Sequence, residues 1–257
     1  LQQLSKGALK GSKGSKNRCV VFRKVLFFSE DDDLRASESA DPTLIHLMYT
    51  QAEVDVKHNM PVGENDALQL AAIQAKVEHQ CQKTRPPSGF LVDYLQKYLP
   101  PSLWSKGSNG ADGCSYTDAL GWEEEVLLRY DALSHAWGMK EFKMEYLRIL
   151  QMNPLYGSIY NYAEVKECGV LELPMCVVLA INEVGIHLLH VDTRQLLTSF
   201  PYSEIYRWGH TNRSFAMFIG HEHHKIVFGT IAGKGQEIAL FASTYVNLLA
   251  KAASENM

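Results

Sequence analysis

His221-Glu222-His223-His224 is the densest group of metal-capable side chains in the sequence. A zinc-protease helix needs H-E-x-x-H, and the place of its second histidine is taken by Lys225. On a strand tip His221 and His223 would share one side, but no further ligand stands at the right spacing. The group reads as surface histidines, with no metal expected. Gly229-Thr230-Ile231-Ala232-Gly233-Lys234 has the composition of a phosphate loop, yet three residues separate its glycines where that motif has four. It reads as a strand-to-helix connection. Glu123-Glu124-Glu125 falls in the first turn of a helix, where carboxylates complement the macrodipole, and it lacks a second acidic anchor. There is no G-x-S-x-G elbow, and no cysteine stands in the context of a nucleophile. The sequence points away from catalysis and from any cofactor.

Composition narrows the remaining classes. With a net charge of −4 and 21% charged residues, no global basic field recruits nucleic acid. The five cysteines, with no C-x-x-C pair, fit reduced thiols and a cytoplasmic setting. No apolar run reaches about 18 residues, so no membrane span is expected. The chain opens at Leu1, and we read it as a fragment whose missing part lies upstream.

The elements that would position a site fall into three segments. Residues 1–40 combine a Gly/Ser-rich basic arm with an apolar strand at 20–28 and an acidic loop. The arm, with Lys13, Lys16 and Arg18, and then Arg23 and Lys24 in the strand, is either a solvated connector or a contact for anionic lipid. Residues 41–153 carry helical periodicity. Asp41-Pro42 opens a helix to about His58. Others are expected at 64–81, 90–99, 121–135 and 140–152, with Leu68, Ala71, Ala72, Ala75 and Val77 inward on the second. Residues 154–257 switch to strand-like runs near 158–166, 174–181, 185–191, 195–200, 203–209, 214–219 and 224–230. Asn182-Glu183-Val184-Gly185 is one hairpin turn. A closing amphipathic helix follows from about 233 to 251, with Ile238, Phe241, Ala242, Tyr245, Leu248 and Leu249 on one stripe. Tyr202 and Tyr206 alternate about Glu204, which would give the fifth strand an aromatic face. The fold class is therefore α+β: an all-α bundle, then an antiparallel β-sandwich capped by a C-terminal helix.

This order resembles the second and third lobes of a FERM domain, preceded by the last strand of a missing first lobe. The residues that carry the resemblance are Phe22 to Phe28, then Asp41-Pro42, Leu47, Tyr49, Gln51-Ala52 and Asp55. Pro61, Ala67, Leu70-Ala71-Ala72 and Gln74 follow, with Tyr146-Leu147 through Tyr156-Gly157 as the bridge. The resemblance implies an acyl-CoA-binding-protein-like bundle and a PH/PTB-like sandwich. Ile205-Tyr206-Arg207-Trp208, Ser214-Phe215 and Gly235 to Ala239 are similar to talin-type third lobes. Phe200 to Ile205 resembles the lobes in unconventional myosin tails, where a myosin-tail-homology domain precedes them.

What the resemblance implies is a cytoskeletal binding module. Its partner would be the cytoplasmic tail of a membrane receptor or a cargo adaptor, added as a strand to the third lobe. In talin-type lobes the Arg-Trp strand receives an Asn-Pro-x-Tyr segment, which would make Arg207 and Trp208 the ligand-facing pair. Ser203, Ile205 and Tyr206 complete the strand, and Tyr245 and Leu249 form the helical wall, with Arg213 and Lys225 steering acidic tails. A myosin cargo tail is the leading parent and a talin-like adhesion linker the second. Phosphoinositide recruitment and autoinhibitory binding to the parent chain are the other readings. The lobe's histidines, His187, His190, His210 and His221 to His224, stand where lysines would be and are largely neutral near pH 7.

Overall fold

The structure, a computed structural model, describes residues 42–255 apart from 80–84, 88, 93–94, 101–102, 104–118, 170 and 221–223. The arm at 1–40, Asp41 and the cluster His221 to His223 lie outside the described residues.

Five described helices form the first lobe: α1 (Pro42–His58), α2 (Glu64–Glu78), α3 (Leu95–Tyr98), α4 (Ala119–Ala132) and α5 (Met139–Gln151). Proline at the start of α1 costs no hydrogen bond, because the first helical N–H has no intrahelical acceptor. Helix α2 is buried from Ala67 to Val77 with only Gln69 half-covered, as suits a central helix ringed by others. Its alanines let α4 and α5 approach closely. Lys76 is buried there too, its ammonium 3.7 Å from the centre of the Tyr130 ring, where the π-face offsets lost hydration. The stripe Trp122, Val126, Tyr130, Leu133 packs inward as the periodicity requires.

The expected helix at 90–99 shrinks to the four residues of α3. The cause is Glu123, which is 1% exposed. Its carboxylate accepts the N–H groups of Gly89 and Leu91, each at 2.6 Å, and fixes that stretch as a turn. Glu123 is therefore a buried clamp rather than a solvated first-turn acid.

Seven antiparallel strands follow: β1 (Ile159–Cys168), β2 (Cys176–Ile181), β3 (Gly185–His190), β4 (Leu196–Pro201), β5 (Ile205–Thr211), β6 (Ser214–Ile219) and β7 (Lys225–Gly229). Their spatial order is β4-β3-β2-β1-β7-β6-β5. Strand β1 pairs with β2 through its first half and with β7 through its second, with a bulge between Val165 and Glu167. The sheet turns there, so that both halves face one core. Helix α6 (Lys234–Glu255) fills that core with Ile238, Ala242 and Tyr245.

Strand β2 shows why the lobes meet. Its run Val-Val-Leu-Ala-Ile is apolar on both faces, as strands covered on both sides are. Val177, Leu179 and Ile181 join the α6 core, whereas Val178 and Ala180, with Leu189 of β3, join the core of the helical lobe.

The bridge between the lobes is polar, and two asparagines tie it to the backbone on either side. Asn153 donates from Nδ2 to the Pro61 carbonyl at 2.8 Å, and Asn182 donates from Nδ2 to Pro154 at 2.8 Å. Asn182 Oδ1 accepts the Val184 and Gly185 N–H groups of the β2–β3 turn. The Nε2–H of His187 also reaches that oxygen, at 3.0 Å, and its Nδ1 takes the Ser199 hydroxyl at 2.9 Å. Burial disfavours the imidazolium and pushes the His187 pKa down to about 4. His187 is thus an interior residue of the hairpin, where the sequence suggested a surface position.

Candidate functional site

Strand β5 ends the sheet order, so one of its edges has no partner strand among the described residues. Helix α6 runs beside it in the opposite direction. The first turn of α6 sits on the β5–β6 turn, where a β-carbon on Gly235 would lie 2.3 Å from the Ser214 carbonyl oxygen and 2.5 Å from that of Thr211. Only glycine permits that approach. Two helical turns later Trp208 donates its indole N–H to Ser243 Oγ at 3.2 Å. The strand edge and the helix lie beside one another along the seven residues of β5, roughly 23 Å of extended backbone.

The strand starts two residues later than its sequence suggests. Tyr202, Ser203 and Glu204 form a turn. The Tyr202 hydroxyl donates to the Asn182 carbonyl at 2.9 Å, and burial pushes its pKa up. Tyr202 and Tyr206 therefore do not share a strand face. A bulge between Ile205 and Arg207 sets aside Tyr206, 61% exposed, as the extra residue. Its effect is a flip of the alternation. Ile205 and Trp208, three residues apart, both face the core, while Arg207 pairs with Phe218 on the outer face. The Arg207 guanidinium lies 4.4 Å from the centre of the Phe218 ring.

The sequence-derived site residues thus divide. Ser203, Tyr206, Arg207 and Leu249 are exposed, and Trp208 is half-buried against Tyr202 and the core. Ile205, 6% exposed, and Tyr245, fully buried, are core residues of the sandwich lobe and cannot touch a ligand. Arg207 and Trp208 sit on opposite faces of the strand, so they do not make one patch. Lys225 is paired with Glu167 at 3.0 Å and is not available for steering. Arg213 is exposed, with no acidic partner among the described residues. Lys13, Lys16, Arg18, Arg23 and Lys24 lie outside the described residues. Sequence reasoning missed Ser243, the indole's partner on α6. Helical periodicity put it with Gln236, Glu237, Thr244 and Asn247 on the face turned away from the apolar stripe, and nothing local revealed a partner 35 residues away.

No described helix is long and apolar enough to cross a membrane. Two family models match the chain: the FERM central domain over residues 35–160 and the PTB domain of IRS-1 type over 163–250. The chain is 27% identical over 247 residues to a kinesin-like protein KIN-14I of Oryza sativa subsp. japonica, covering 94% of this chain and 18% of that protein. It is 22% identical over 245 residues to a talin of Oscarella pearsei, covering 92% of this chain and 9% of the talin. Among solved structures it is similar to the human Myosin 7b C-terminal MyTH4-FERM domain in complex with the harmonin-a PDZ3 domain. That likeness has a TM-score of 0.62 at 21% identity, over 79% of this chain and 38% of the other. The chain spans less than a fifth of the length of either relative.

Proposed function

We propose, from the premise that this chain carries the second and third lobes of a FERM domain, that it docks protein tails along the free edge of β5. The helical lobe, taken as residues 41–153, braces the sandwich lobe of 154–257 through β2 and β3. One observation carries the reading: β5 is terminal in the sheet and flanked by α6, so an extended segment gains main-chain hydrogen bonds and a helical wall together.

The charge pattern supports an acidic tail. Across β5 and the turns at its two ends, residues 203–214, Arg207 and Arg213 face one acid, Glu204. Such a site is small and a flexible tail loses entropy on ordering, so affinity is on the order of micromolar. The parent reading is a motor whose tail carries cargo. A kinesin-like relative and a myosin-tail fold neighbour both support it, and a talin-type adhesion linker is the second choice.

The test is amide chemical-shift mapping of the labelled chain with an acidic peptide bearing Asn-Pro-x-Tyr. Shifts should cluster at 205–211 and on the first three turns of α6. Shifts confined to β4 or to the helical lobe would refute the site.

A further inference from the structure

We propose that Tyr206 is a phosphate-acceptor site for a tyrosine kinase, and that its phosphorylation closes the β5 edge to acidic tails. The second half rests on the docking reading above, whereas the first does not.

The acceptor is selected by access. The chain has 12 tyrosines. Among the described ones, Tyr49, Tyr98, Tyr130, Tyr146 and Tyr245 are buried, and Tyr156 is half-buried against the helical-lobe core. Tyr160 and Tyr202 are partly buried, and each donates its hydroxyl to a backbone carbonyl. Tyr162 is 56% exposed, but Arg194 donates to its hydroxyl and lies across its ring, 5.1 Å from the centroid. Tyr206 is the exposed tyrosine whose hydroxyl has no partner among the described residues. The bulge lifts it out of the β5–β6 pairing register, and among the described residues β5 has no strand on its other side. A kinase cleft, which grips its substrate in extended form, meets no neighbouring strand there. Glu204, two residues earlier, supplies an acidic flank.

The chemistry balances with ATP as the phosphoryl donor. The Tyr206 Oη attacks the γ-phosphorus, the bond to the β–γ bridging oxygen breaks, ADP leaves, and the phenolic proton passes to the kinase's base. The product brings a charge of about −1.5 to −2 near pH 7. That charge outweighs the surplus of Arg207 and Arg213 over Glu204, so residues 203–214 change from net cationic to net anionic. It also draws Arg207 off its seat on the Phe218 ring.

The chain is treated with a broad-specificity tyrosine kinase domain and ATP, and the phosphate is located by peptide mass spectrometry. Among the described tyrosines, Tyr206 should carry most of it. Tyr206→Phe should remove that signal, while Tyr162→Phe leaves it intact. Phosphate found elsewhere, with Tyr206 unmodified, overturns the acceptor assignment. The acidic Asn-Pro-x-Tyr peptide is then titrated against both forms, and the phosphorylated chain should bind about tenfold more weakly. Equal affinity overturns the switch. If the peptide fails to bind the unmodified chain, the docking reading falls and the switch with it, and the mass-spectrometric map still decides the acceptor.

Discussion

The bridge around Asn182 and the edge of β5 treat polar groups in opposite ways. At the bridge, an amide, an imidazole, a hydroxyl and three backbone groups satisfy one another in the interior. At the edge, one side of a seven-residue backbone meets no strand, and its charged neighbours have no acidic partner among the described residues. The first arrangement fixes a geometry, because every member would be costly to leave unpaired. The second leaves hydrogen-bonding capacity for another molecule. Substitutions at the bridge should therefore cost stability, and substitutions at the edge should cost binding.

The largest test is Asn182→Ala. It strands the Pro154 carbonyl, two turn N–H groups and the His187 Nε2–H in the interior, so we expect a loss of about 3–4 kcal/mol in urea unfolding. A loss under about 1 kcal/mol would mean that the bridge is less coupled than its hydrogen bonds imply.

Proton linkage at His187 comes next. Its folded pKa, about 4, lies below the ordinary histidine value of 6.5, so the unfolded chain binds the proton more readily. Stability from this group is complete above pH 6.5 and is lost as pH falls toward 4. The full difference is on the order of 3 kcal/mol. His187→Gln should flatten that part of the stability–pH profile, and an unchanged slope would break the assignment.

Gly235→Ala probes the seat of α6 on the β5–β6 turn. Its β-carbon would collide with two carbonyl oxygens, so we expect about 2 kcal/mol of destabilisation and altered amide shifts along β5. The smallest stability effect belongs to Arg207→Glu. It should move the unfolding midpoint by less than about 0.5 kcal/mol while weakening the acidic peptide about tenfold or more. A variant that unfolds readily would show that the edge is structural after all.

Much of the fold was legible in the residues. Each of the seven strands was anticipated within three residues of its bounds, because short apolar runs are separated by turn residues. The five α2 positions chosen as inward are all buried. What stayed hidden depends on distant partners or on one residue of register. Glu123 sits among acids at a helix start, and nothing local reveals that its acceptors will be claimed by Gly89 and Leu91. Strict alternation put Ile205 and Arg207 on one face, and the bulge at Tyr206 has no compositional mark. The histidine at 187 looks like its exposed neighbours until the hairpin closes over it. Trp208 was expected to face a ligand, and its indole is hydrogen-bonded to Ser243 of α6.

The sharing of β2 and β3 between two cores has a practical consequence for anyone wishing to dissect the chain. A cut at Pro154 follows the boundary between helices and strands, yet it passes through packed hydrocarbon. The excised C-terminal piece would present Val178, Ala180 and Leu189 to solvent as a bare greasy facet. Val178→Thr with Leu189→Lys should keep such a piece monodisperse in sedimentation experiments where the unaltered piece self-associates.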